Sequence, residues 1–301
     1  SGLTNSLMST LRKQESTGPG LKRIACAQVE SAIRCLTRQA GQGVAAAKAI
    51  DQARAVLALI EPDLPRLTVR RERAILSRLN DGLVILTQPT LLVEQLDRRY
   101  KKRPSDAALA TAVKALRKRW ASHTPSGSAL SSKAGNFNPA IYRLVADMAE
   151  LRGHLDSWPV DEVPSDLPPL GLRRSYTKAR KLANEPITAE TLGPLSEAIT
   201  ELASQLAVIS KACPVMVKAQ RKLLSRAADE LNSLQQSRAL DKALRAELGK
   251  DASKALPTGK SIDTQAAACL GNDLADALAE TPAAFMRRMQ AYWTAWHNSA
   301  D

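Results

Sequence analysis

Apolar positions recur at spacings of three and four along almost the whole of this chain, the period of helices with one buried face. The most regular stripe is Leu192, Leu195, Ile199, Leu202, Leu206 and Ile209. It puts every large apolar side chain on one side of a helix. Thr188 is expected to cap its start, with Glu190 and Thr191 in the first turn, and Pro214 to end it. Less regular stripes run through 20–40, 45–60, 68–87, 91–103, 106–120, 138–156, 172–184, 215–248, 263–280 and 282–298. Phe285, Met289, Tyr292 and Trp296 look like a core stripe on the last of these. The intervening segments "IEPDLP", "QPT", "HTPSGSALSSKAGNFNPA", "WPVDEVPSDLPPLG" and "ALPTGKS" are rich in turn formers and read as turns or loops. Alanine and leucine dominate and strand-type alternation is nearly absent, so the chain reads as all-α, with ten or so helices.

Two segments repeat. Gly20-Leu-Lys-Arg recurs as Gly171-Leu-Arg-Arg, and "RAILSRLND" from Arg73 recurs as "RKLLSRAAD" from Arg221, in the same order and at nearly the same offset. The pattern predicts an internal duplication giving two similar, pseudo-symmetric helical bundles. The expected limits are an N-terminal segment at 1–19, partly tag or flexible, a first bundle at 20–158, a linker at 159–170 and a second bundle at 171–301.

The 43 Lys and Arg exceed the 30 Asp and Glu, for a formal charge of +13, which favours a polyanionic partner over a neutral one. Two windows hold the whole excess. Residues 66–119 carry fourteen cations against five acids, and 171–187 carry five against one. A basic helix face is ordinarily just a solvated face, so charge by itself does not choose a partner. The run "DRRYKKRPSD" at 97–106 has no nucleic-acid recognition motif beside it and reads as a surface turn.

Cys26, Cys35, Cys213 and Cys269 have no metal-type spacing and are expected to be reduced packing residues. His123, His154 and His297 lie far apart, so no metal site is expected. No catalytic carboxylate pair, Ser-His-Asp arrangement or phosphate-cradling glycine loop is found, and neither catalysis nor a cofactor is expected. No apolar run approaches a membrane span, and "SGLTNSLMSTLRKQ" has no apolar leader core, so the expected setting is cytoplasmic.

Several segments, taken in order, resemble the CHAD family, the conserved histidine α-helical domain. "LKRIACAQVESAI" is similar to its first helix, "KAIDQARAVLALIEPDLP" to its second and "TLLVEQLD" to the end of its third. "GLRRSYTKARK" and "LGPLSEAITELASQLAVI" resemble the opening of its second half, and "ETPAAFMRRMQAYWTAW" its last helix. The resemblance implies two four-helix bundles about a pseudo-twofold axis, with a basic groove between them that binds inorganic polyphosphate without catalysis. An association with polyphosphate granules follows from the same likeness. On it, Lys22, Arg23, Lys48, Arg54, Arg173, Arg174, Lys178, Arg180 and Lys181 are the expected polyphosphate-binding residues.

The chain departs from that family at its namesake positions. The family histidines fall on Val44 or Ala45 and on Gly193, and a later His-Asp pair falls on Gln235-Gln236. Asp51, Gln52, Ser196, Glu197 and Thr200 stand where cations are usual. The triphosphate tunnel domain that often accompanies the family has no counterpart in this sequence. Two readings therefore stand: a polyphosphate-binding module with a lopsided groove, or a helical protein-interaction module that kept the fold and lost the polyanion. A nucleic-acid binder, resting on the run at 97–119, is a less favoured third.

Overall fold

The computed structural model describes residues 10–38, 42–101, 107–123, 138–212, 216–252 and 264–299. Every regular element among them is helical: α1 (Thr17–Arg38), α2 (Gly43–Ile60), a 3-10 turn (Glu61–Asp63), α3 (Arg66–Arg99), α4 (Ala107–His123), α5 (Pro139–Asp156), α6 (Gly171–Ala183), α7 (Leu192–Val208), α8 (Met216–Ala252), α9 (Thr264–Ala277) and α10 (Pro282–Asn298). The apolar spacing located most of these within a few residues.

At Pro89 the outcome differs. The "QPT" stretch does not form a turn; α3 runs straight through it. Proline removes the N–H that would bond the Ile85 carbonyl, and Ile85 is 73% exposed, so the missing bond falls on the solvent side of the helix and not in the core. Thr87 Oγ1 donates to the Leu83 carbonyl at 2.8 Å in the same turn. The start of α7 also differs slightly. Thr188 caps a turn ahead of the helix, its Oγ1 accepting from the N–H groups of Glu190 and Thr191 at 3.2 Å, while its own N–H donates to Thr191 Oγ1 at 2.8 Å. Helix then begins at Leu192, and Pro214 lies outside the described residues.

Helix α2 is the centre of the molecule. Its C-terminal half, "ARAVLALI", is buried nearly all round, because α1, α3, α6 and α7 each cover a side of the helix. Small alanine side chains at 46, 49, 53 and 55 keep those neighbours close. One continuous core runs from α1 through α2, α3, α5, α6, α7 and α8 to α10. A smaller, separate core joins the far ends of α3 and α8 to α4, through Leu92, Leu96, Val113, Leu116, Leu240 and Leu244. Long helices α3 and α8 thus contribute to both cores.

Residues 10–16, within the expected N-terminal segment 1–19, reach the main core. Leu11 is 2% exposed, and its N–H donates to the Val208 carbonyl at the end of α7. The connection 159–170 is also anchored. Ser165 Oγ accepts the Thr17 N–H at 3.0 Å, and the Ser165 carbonyl accepts from Trp293 Nε1 at 2.9 Å. On α10, Phe285, Met289 and Trp293 are fully buried, with Tyr292 and Trp296 half-buried beside them. Phe285 stacks on Tyr176 of α6, ring centres 4.0 Å apart. Glu72 is fully buried and accepts from Arg71 Nη2 at 2.7 Å and Trp158 Nε1 at 3.4 Å, with His154 Nδ1 at 3.3 Å.

The repeated Gly-Leu pairs have a packing role. Leu21 and Leu172 are fully buried. A Cβ on Gly20 would lie 2.7 Å from Leu11 Cδ2, and one on Gly171 would collide with the Ala58 and Leu59 carbonyls at the end of α2. Backbone cannot yield as a side-chain tip can. Gly171→Ala is therefore expected to lower unfolding free energy by at least about 2 kcal/mol. Gly153, in the last turn of α5 with nothing within 4 Å, is the control, and Gly153→Ala should raise stability by up to about 0.5–1 kcal/mol. Urea denaturation of both variants checks the pair.

Candidate functional site

The nine residues expected to hold polyphosphate fall in four places. Lys22 and Arg23 stand on α1 against a groove of about 530 Å³, lined also by Arg12, Glu30, Arg152 and Asp161. Its cations are drawn onto protein acceptors. Lys22 Nζ donates to the Asp156 carbonyl at 2.7 Å, and Arg23 bonds Glu15 and the Thr10 carbonyl. Arg152 bridges Glu30 at 2.8 Å and Asp156 at 2.7 Å, and these bonds push its already high pKa higher still. In the same groove burial raises the pKa of the half-buried Cys26 thiol, which makes it a poorer nucleophile.

Lys48 and Arg54 lie on α2. Arg54 sits in the seam with α7, donating to Glu197 at 2.8 Å and to Asp51 at 3.0 Å. Burial raises the Asp51 carboxyl above its ordinary value against the pull of Arg54, and nearby Glu197 adds to the rise. Deeper in the seam Gln205 Nε2 donates to Ser175 Oγ at 2.9 Å, and Ser175 Oγ donates to Glu201 at 2.9 Å. Acids and amides line this seam, and its one arginine is held by two carboxylates. Lys48 is exposed and pairs with no carboxylate among the described residues.

Four of the remaining five share one exposed face of α6. Arg173, Arg174, Lys178 and Lys181 project from it, while Leu172, Tyr176 and Ala179 face the core. Arg180 turns aside, its Nε donating to the Leu278 carbonyl at 3.1 Å. Arg174 reaches Glu61 at 3.3 Å, and the other oxygen of Glu61 holds Arg73 of α3 at 2.5 Å. Arg66 and Arg70 lie about two turns and one turn before Arg73 on the same exposed side of α3. Glu61 therefore couples two cationic rows, one from each half of the chain. The α3 row was missed in sequence, where 66–73 showed only as part of a long basic window.

The positions where the family histidines were expected mark the starts of α2 and α7. Val44 and Ala45 are exposed on the first turn of α2, and Gly193 is half-buried near Gln235 Nε2. Gln236 accepts from Gln95 Nε2 at 2.7 Å, joining α8 to α3. Among the described residues no group of histidine, cysteine and carboxylate side chains is arranged to hold a metal ion, and no helix is long and apolar enough to cross a membrane. The side chains of His123 and Cys269, and all of Cys213, lie outside the described residues.

The α1 groove yields a pH test. Burial by itself would raise the Glu15 carboxyl, but the bonds from Arg23 and from the Arg12 N–H outweigh it and hold Glu15 below its ordinary 4.5. A lowered acid stabilises the fold above its unfolded value and loses that contribution as pH falls through the folded one. Glu15→Gln should thus cost about 1 kcal/mol at pH 7, and wild type and variant should converge below pH 4. Denaturation midpoints at pH 7 and pH 3 check this.

Comparison with family models, curated proteins and solved structures finds no match to this chain.

Proposed function

We propose that this chain is a non-catalytic polyanion-binding module of the CHAD type, and that it holds inorganic polyphosphate on the cationic surface where α6 meets the start of α3. One observation carries the reading: Glu61 ties Arg73 and Arg174 together, so that Arg66, Arg70 and Arg73 continue into Arg173, Arg174, Lys178 and Lys181. Polyphosphate bears about one negative charge per unit, so a receptor needs a row of cations more than a fitted pocket. Exposed arginines suit that task, since each planar fork can take two phosphate oxygens.

The duplication belongs to the same proposal. Among the described residues five helices precede the connection at 157–170 and five follow it. Each half opens on a tightly packed Gly followed by a buried Leu. The fifth helix of each half starts with a side-chain cap and a proline, Asn138-Pro139 accepting from Ala140 N–H at 3.0 Å and Thr281-Pro282 accepting from Ala284 N–H at 3.2 Å. Helix α2 packs on α7 and α3 on α8, as a pseudo-twofold relation requires. These features support two related bundles, with the cationic surface at one edge of their junction instead of in the seam between α2 and α7.

The Asp51–Arg54–Glu197 seam favours a second reading, in which the fold is kept as a protein-interaction module and polyphosphate is not bound. Titration with long-chain polyphosphate separates the two. Binding at 25 mM salt is expected to weaken at least tenfold in Arg173→Glu/Arg174→Glu/Lys178→Glu and to change less than twofold in Arg54→Ala, with wild-type affinity falling steeply by 150 mM. No binding at 25 mM salt, or indifference to the three reversals, would overturn the first reading in favour of the second.

A further inference from the structure

The small core at the far ends of α3, α4 and α8 is closed by charge as well as by leucine. Each of its three helix seams carries one ion pair: Asp97 with Arg117 at 2.6 Å between α3 and α4, Arg99 with Asp241 between α3 and α8, and Arg119 with Glu247 at 2.8 Å between α4 and α8. Residues 92–101, 107–120 and 238–248 together hold ten Lys and Arg but only four Asp and Glu. The seams use three of those four acids. Of the seven cations that remain, Arg238 and Arg245 are half-buried, while Arg98, Lys101, Lys114, Lys118 and Lys242 are exposed beside Glu94, and none of these five pairs with a carboxylate among the described residues.

We infer that this three-helix end is a docking surface for the phosphate backbone of double-stranded nucleic acid, distinct from the α6–α3 surface. The residues narrow the partner. Among the described residues, none of the large exposed apolar side chains lies on this end, so these three helix faces offer no greasy patch to a protein groove or a bilayer. Tyr100 and Trp120 are turned inward onto the small core, so neither is presented as a stacking platform for unpaired bases. Lysines spread over three outward faces instead match a partner read as a dense, sequence-independent line of charge. Because the seam pairs hold the helices together without the outward lysines, fold stability does not account for those cations.

The two basic surfaces lie at opposite ends of α3. From Arg73 to Arg98 the helix rises about 38 Å, far beyond a Debye length of about 8 Å, so charge changes at one end leave the other's field nearly untouched. Binding to each can therefore be tested separately.

Fluorescence anisotropy with a labelled 24-base-pair duplex of arbitrary sequence, from 25 to 150 mM salt, reads the proposal. Wild type should bind at 25 mM, and Lys114→Gln/Lys118→Gln/Lys242→Gln should reduce the slope of log affinity against log salt by about 2 to 3, near 0.9 per lost phosphate contact. Melting of the variant should match wild type, since these side chains have no carboxylate partner to lose. The α6 reversals should leave duplex affinity within twofold whether or not they abolish polyphosphate binding. No duplex binding at 25 mM, an unchanged salt slope, or stronger binding to a single strand of equal length would each overturn the inference.

Discussion

The contact of α2 with α7, closed at one end by Gly171 against the last carbonyls of α2, fixes most of what is exposed elsewhere. Because α6 begins flush against that helix end, its register on the core is set, and with it which of its side chains face water. Leu172, Tyr176 and Ala179 fill the core, and the cationic set turns outward as a direct consequence. The same abutment brings Arg174 to the 3-10 turn that follows α2, where Glu61 already holds Arg73. A change in that one backbone approach would move the whole α6 row.

Charge in this molecule divides into two kinds of work. Some cations hold protein to protein: Arg54 across the α2–α7 seam, Arg152 on Glu30 and Asp156, and three arginines in the seams of the small core. These are engaged and cannot also grip a ligand without losing a partner. Others project into water from α3, α4, α6 and α8. Exposed ion pairs are individually weak, so a cation held by Glu61 at a largely exposed site is easily shared with an arriving phosphate, whereas Arg54 between two carboxylates is not. The excess charge of the chain is therefore a property of its rims, while its central seam is locally acidic.

Much of the fold was legible from periodicity, because a helix that buries one face records its core at every third or fourth residue. Where that failed, the cause is local. Pro89 read as a turn, yet α3 continues through it, buried on both sides of the proline and missing its bond only at the exposed Ile85. Leu11 belongs to the main core, yet one buried leucine ahead of the first stripe leaves no period to read. The candidate site was legible only in part. In the repeated Gly-Leu-basic-Arg opening, what the two copies share is the close-packed glycine and the buried leucine, not a common groove. Lys22 and Arg23 are bound to Asp156 and Glu15, and neither acceptor could be matched to them from spacing. Nor could the role of Glu61, which depends on two helices more than a hundred residues apart in sequence.

The central claim is that the exposed row of α6, and not the seam of α2 with α7, is what a phosphate polymer touches. Lysine acylation footprinting with and without bound polyphosphate, read by mass spectrometry, tests it most directly, since Lys178 and Lys181 mark the row while Lys48 and Lys22 mark α2 and the α1 groove. The account predicts strong protection of Lys178 and Lys181 with Lys48 and Lys22 unchanged. Protection of Lys48 and Lys22 while Lys178 and Lys181 stay reactive would contradict it.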